Sequence, residues 1–340
     1  MKHILLIVFA ALILVSCNSE NELIDNSDHS WELLASVAST PPALSVINNK
    51  GEIINSNVFA ATGEEMPSAP SKIAEYGGMI FLLFKDDKQI IVLSNQDYNI
   101  IAKFELEGTP SGLCFPNATD CYIALEDIGA IVLLDIYNMK IARKIDLAGR
   151  PINIASYGNQ VYVPLFDADR VAVIDTRTKT IEAMIQVAER PLYVDFTHDG
   201  KHCFVCSLGK GKLNESEEKT KAFVSFINVE QRKVLETTEI GFGSFLAENQ
   251  FPTGLAVTNG DWAYIPTNEF IMRIDTRYGN RIRLIDRGDY HSMIYNFKRD
   301  ELLVVQYIDG VYKAYTADTE KVEELESIEL PQNILALLPM

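Results

Sequence analysis

From about Leu44 to the C-terminus one strand-rich unit recurs every ~40 residues, and that period is what most constrains the fold. In the clearest copy, Arg150-Pro151-Ile152-Asn153-Ile154 leads to a turn at Gly158-Asn159 and the strand Val161-Tyr162-Val163. A loop at Asp167-Ala168-Asp169 and the strand Val171-Ala172-Val173-Ile174-Asp175-Thr176 follow, and Ile181 to Val187 closes the unit. Four short strands make a sheet too small to bury both faces by itself. Radial stacking solves this, because each sheet then covers its neighbours. The repeat therefore predicts an all-β chain folded as a β-propeller.

The copies are counted by a landmark just after the third strand. The place held by Asp175 is matched by Asn48, Ser94, Asp135, Asn228, Asp275 and Thr316, which predicts seven blades. Unit starts recur as Thr109-Pro110, Arg150-Pro151, Arg190-Pro191, Phe251-Pro252 and Leu330-Pro331. Proline is tolerated at a strand's first residue because its missing N–H need not join the ladder. Gly, Asn and Asp clusters such as Tyr76-Gly77-Gly78 and His198-Asp199-Gly200 supply the tight turns between the first two strands. The last unit stops after one strand, within Pro331 to Leu338. Its missing partners lie at the front: Trp31 to Val37, Leu44 to Asn48, and Glu52 to Phe59 as the fourth strand. One blade is thus expected to be closed by strands from both termini, which removes an open sheet edge.

The Val161-Tyr162-Val163 and Val173-Ile174-Asp175-Thr176 segments, with the Arg-Pro starts, resemble the YVTN/YncE-like seven-bladed propellers, including surface-layer-like proteins of Bacteroidetes. The resemblance spans about 300 residues and is specific for fold rather than function, since one scaffold hosts many activities. It implies one sharper reading. Some YVTN-like lipoproteins capture corrinoids at the cell surface and pass them to an outer-membrane transporter.

Met1-Lys2-His3, the apolar run Ile4 to Val15 and the sequence Leu14-Val15-Ser16-Cys17 look like a lipoprotein signal, too short for a spanning helix. The expected organisation is a signal peptide over 1–16, a tether over 17–30 following a lipidated Cys17, and the propeller over 31–340. The expected location is the cell envelope, as an outer-membrane lipoprotein facing the surface or the periplasm. A net charge of −17 argues against nucleic acid and against adhesion to anionic lipid, which leaves the lipid anchor as the membrane contact. Cys114 and Cys121 flank the turn at Asn117 to Asp120, as a disulfide or as two buried thiols. Cys203 and Cys206 have C-x-x-C spacing inside a strand, where residues three apart face opposite ways, so neither a disulfide nor a metal site is expected.

Linear catalytic motifs are missing, and the histidines are scattered. The expected function is therefore non-catalytic binding of a small molecule or an envelope protein, with no cofactor and no metal. The alternative is a propeller enzyme, a lactonase or quinone-type oxidoreductase, with a metal or cofactor at the central channel. Two insertions, Gly209 to Lys221 and Gly241 to Phe251, depart most from the repeat and fall on one face. Phe242 and Phe245 in the second are candidates either for an exposed apolar patch or for a plug over the blades. Blade-start residues Arg150, Arg190, Phe251 and Tyr290 are expected to encircle the channel, with Phe166 and Asn268 contributing from second-to-third-strand loops. Arg150 and Arg190 suit a carboxylate or phosphate, or else pair internally with Glu189 or Asp167.

Overall fold

The computed structural model describes residues 31–209, 222–240, 252–331 and 333–340. Seven four-stranded antiparallel sheets follow one another around a ring. The first blade takes its innermost strand, Ile334–Pro339, from the C-terminus and adds Glu32–Val37, Ala43–Asn48 and Ile53–Asn55 from the front. Closure by both termini is thus as the repeat predicts. One detail differs: the fourth strand is only Ile53–Asn55, and the chain then turns into a short 3₁₀ helix, Val58–Thr62. Asn57 caps that helix by accepting the Phe59 N–H, while Val58 and Phe59 pack into the junction with the second blade.

The landmark position has a physical cause. Each third strand ends on a short polar side chain that accepts backbone N–H groups of the following turn, which bends the chain into the outer hairpin. Asn48 accepts from Lys50 and Glu52, Ser94 from Gln96, Asp135 from Asn138, and Asp175 from Arg177 and Thr178. Asn228 accepts from Gln231, and Asp275 from Arg277. In the last blade the role falls to Asp318, which accepts from Glu320, Lys321 and Glu323, and not to Thr316. The strand there is Val311–Asp318, two residues longer than the repeat implied.

Register explains how the ring holds together. The first residue of each second strand pairs with, or sits beside, the landmark, as Asp120 does with Asp135 and Gln160 with Asp175. Two residues further on lie Leu34, Phe81, Tyr122, Tyr162, Phe204, Tyr264 and Leu303. Each is buried in the cluster shared with the following blade. The residue just before each of these, from Leu33 and Ile80 to Ala263 and Leu302, faces the preceding blade, as a two-residue period requires. Seven such clusters fill seven interfaces, so no blade has an uncovered face. Every fully buried Leu, Ile or Phe in them contributes about 1.5–3 kcal/mol.

The same alternation settles the cysteines. Cys114 pairs with Tyr122 rather than with Cys121, and the two thiols lie in different interfaces. Cys203 and Cys206 likewise face opposite neighbours, and all four are free and buried. Burial pushes the Cys114 thiol up to about 12.

Candidate ligand site at the channel mouth

The site is built first from backbone. Four prolyl starts meet the end of their second strand: Pro110 pairs with Leu125, Pro151 with Leu165, Pro191 with Ser207 and Pro252 with Thr267. The residue before the proline is held by the next N–H along, so that Thr109, Arg150 and Arg190 accept from Glu126, Phe166 and Leu208 at 2.8, 2.9 and 2.9 Å. Carboxylates in the loops lock these positions from the other side. Asp127 accepts the Thr109 N–H at 2.6 Å, Asp167 accepts that of Arg150 at 2.6 Å, and Asp169 that of Arg190 at 2.9 Å. Burial opposes ionisation of Asp127, but bonds from Lys88 and Thr109 outweigh it and hold the carboxyl at about 2. Side chains at the blade starts are therefore fixed on a rigid rim.

That rim encloses a cavity of about 550 Å³ lined by residues from five consecutive blades, which places it on the axis of the ring. Its charged lining is unlike the acidic chain around it. Among the described residues, Lys72, Lys85 and Arg150 face a single carboxylate, Glu126. Lys85 Nζ lies 2.9 Å from Glu126, and Arg150 Nε lies 3.7 Å from the other oxygen of the same carboxylate. That second distance is ion-pair range and too long for a hydrogen bond, and Nε is buried without a hydrogen-bond partner. The Arg150 guanidinium lies over the Phe166 ring at 4.5 Å and that of Arg190 approaches the same ring at 5.7 Å. Lys72 opens the innermost strand Lys72–Tyr76. Desolvation, with repulsion from Lys85, lowers its pKa to about 8 against a smaller opposing pull from Glu126.

Sequence-derived candidates meet this geometry unevenly. Arg150, Arg190 and Phe166 come together as one stacked cluster. Arg150 takes its ionic partner from Glu126 rather than from Asp167, whose carboxylate serves the backbone. Asn268 is half-buried in the second-to-third-strand turn of the sixth blade, among residues that do not line the cavity. Tyr290 needs correction: it is fully buried between the sixth and seventh blades, and its hydroxyl donates to Asp286 at 2.8 Å. It offers no surface to a ligand because its position alternates into an interface. Phe242, Phe245, Phe251 and Cys17 lie outside the described residues. Leu208 and Pro252, on either side of the two insertions, both line the cavity.

Lys72 and Lys85 were not among the candidates, though a signal existed. Ala69-Pro70 is one more prolyl start, with Ser71 N–H bonded to Leu83 O as Thr253 N–H is to Pro266 O. Aligning those prolines puts Lys72 where the other blades carry Gly112, Asn153, Tyr193 and Gly254. Among the described residues, no group of three or more His, Cys, Asp or Glu is placed to hold a metal ion.

Among solved structures, a Lactobacillus plantarum protein superimposes with a TM-score of 0.69 over 92% of this chain and 99% of that one, at 12% identity. The Kuenenia stuttgartiensis hydrazine synthase gives 0.60 over 74% and 77%, at 16% identity. The Cps50 (Swd1) β-propeller domain of Myceliophteria thermophila gives 0.57 over 77% and 87%, at 13% identity. At such identities the likeness concerns the fold alone. No family model and no curated protein matches the sequence.

Proposed function

We propose that this protein is a non-catalytic binding module of the cell envelope, anchored by lipid on Cys17, that takes a small anionic molecule at its channel mouth. The observation that carries the reading is the cationic lining: among the described residues, three cations against one carboxylate, in a chain of net charge −17. General electrostatics would make such a surface acidic, so a concentration of Lys72, Lys85 and Arg150 on the axis calls for a specific anion. Phe166 adds a flat apolar face beneath the guanidinium, and mixed apolar and polar linings are typical of small-molecule sites. The Arg150 side chain is 43% exposed beside that ring, and a guanidinium can grip a carboxylate or phosphate with two parallel bonds.

The test is calorimetric titration of the mature protein with a panel of small dicarboxylates and phosphates at low ionic strength. Arg150→Ala and Lys85→Ala should each weaken binding by about tenfold or more, as expected for one charge-assisted contact. No binding across the panel, or variants indistinguishable from wild type, refutes the site. The anchor is tested separately by metabolic labelling with a fatty-acid analogue, which Cys17→Ala should abolish together with membrane fractionation. Corrinoid capture as part of an outer-membrane uptake system is the narrowest form of this reading. It rests on the family resemblance and is checked by adding a corrinoid to the same panel.

A further inference from the structure

The anionic-site reading counts Lys72 as one of three cations but gives its amine no partner of its own. Among the described residues it makes no hydrogen bond or ion pair, while its neighbours Lys85, Glu126 and Arg150 are all engaged with one another. It opens the innermost strand of its blade and lines the same cavity as Arg150 and Phe166. An amine held in a partly desolvated, cation-rich cavity is the arrangement that activates a lysine as a nucleophile. Its proton is lost near pH 8 rather than above 10, so a useful fraction is unprotonated under mildly alkaline conditions.

We propose that Lys72 captures its ligand covalently and reversibly, as an imine with the carbonyl carbon of a small oxo acid whose carboxylate is held by Arg150 and Lys85. This rests on the anionic-site reading and names its ligand class: a carboxylate with an aldehyde or ketone close by. The neutral Lys72 nitrogen adds to the carbonyl carbon, and a proton passes from that nitrogen to the carbonyl oxygen to give a carbinolamine. A second proton, taken from solvent, lets the hydroxyl leave as water while the nitrogen lone pair forms the C=N bond, which gives the protonated imine. No oxidant or reductant is consumed, and water returns the free amine and the oxo acid. Glu126 and Lys85, whose charges reach the Lys72 amine, are the polar groups beside these proton transfers. The protein remains a binder, since it makes no product.

The experiment is trapping with glyoxylate and cyanoborohydride at pH 8, read by intact mass and peptide mapping. Hydride delivered to the imine leaves one carboxymethyl group on the modified lysine. The expected result is preferential, saturable labelling of Lys72, lost in Lys72→Arg and slowed at least tenfold in Arg150→Ala. Acetaldehyde, which lacks the carboxylate, should favour Lys72 over surface lysines only as far as its more readily lost proton allows, a preference at least tenfold weaker than that of glyoxylate. Glyoxylate labelling spread evenly over surface lysines overturns the imine. Calorimetry with malonate, which has no reactive carbonyl, separates the two claims. Malonate binding that depends on Arg150, without Lys72 labelling, refutes covalent capture and leaves the anion site standing. Equal labelling of Lys72 by both aldehydes, with no protection by malonate, refutes the carboxylate grip and the proposal with it.

Discussion

Replacing Lys72 by methionine should stabilise the protein while abolishing covalent capture, because at this lysine charge and fold are opposed. Burial is the main cause of its lowered pKa, repulsion from Lys85 adds to it, and Glu126 offsets part. A fall from 10.5 to about 8 corresponds, at about 1.36 kcal/mol per unit, to about 3 kcal/mol by which the fold disfavours the ammonium. The sign follows from proton counting. Between about pH 8 and 10.5 the unfolded chain still holds a proton that the native state has released, so stability rises with pH across that window. Below pH 8 the full cost is present. Methionine keeps an unbranched stem and removes the charge, so at pH 7 the unfolding free energy should rise by up to about 3 kcal/mol. For a domain of this size that is about 5 °C in Tm. At pH 9.5 the wild type has already shed its proton, and the advantage should shrink to about 1.5 kcal/mol. Urea unfolding followed by tryptophan fluorescence at both pH values measures the two numbers. A variant no more stable than wild type at pH 7, or an advantage that does not change with pH, refutes the electrostatic account.

Three further outcomes are expected. Burial lifts the Asp195 carboxyl to about 6, against N–H bonds from Val257 and Phe196. The native state thus keeps a proton that the unfolded chain loses from its ordinary value near 3.8 upward, so stability should fall as pH rises from about 4 to 6, and Asp195→Asn should flatten that slope in pH-dependent urea midpoints. Gly279 has φ +71, and an added Cβ would lie 2.4 Å from Phe226 Cγ, so Gly279→Ala should cost about 2–4 kcal/mol; a loss under 1 kcal/mol by chemical denaturation contradicts this packing. Removing residues 334–340 strips the innermost strand from the first blade and bares the edge of Glu32–Val37, which should produce aggregation visible by light scattering; a monomeric, cooperatively unfolding truncation contradicts the closure.

How legible all this was in the sequence varied with the kind of signal. Blade number and closure were readable because turn-forming side chains such as Asp175 and Asn228 must recur wherever the outer hairpin bends. Thr316 was misplaced because the third strand of that blade runs two residues longer than the others, and Asp318 takes the turn. The Ile53–Asn55 strand stops early because Asn57 diverts the chain into a capped helix, a local competition that strand propensity alone does not register. Arg150, Arg190 and Phe166 were found as neighbours because equivalent positions in adjacent units must meet on one rim. Tyr290 failed the same logic, since one step along a strand exchanges the channel for the interface between blades. Lys72 escaped because its prolyl start, Ala69-Pro70, carries a bare methyl where the others have Thr, Arg, Phe or Leu.

The ring divides its residues between two tasks, and the strand period enforces the division. From the second residue of each second strand onward, side chains alternate between the two neighbouring blades, so changing Phe81, Tyr122 or Tyr264 disturbs an interface without touching the axis. At the blade starts there is no neighbour to fill, and side chains held there by backbone bonds and loop carboxylates project onto the channel mouth. Substitutions at Arg150 or Lys85 should therefore change what the protein binds while leaving its interfaces intact. Lys72 is the exception, since it belongs to a strand and to the cavity at once. A half-buried charge kept at that junction weakens the fold, and the natural reason for a chain to tolerate it is the chemistry the amine performs.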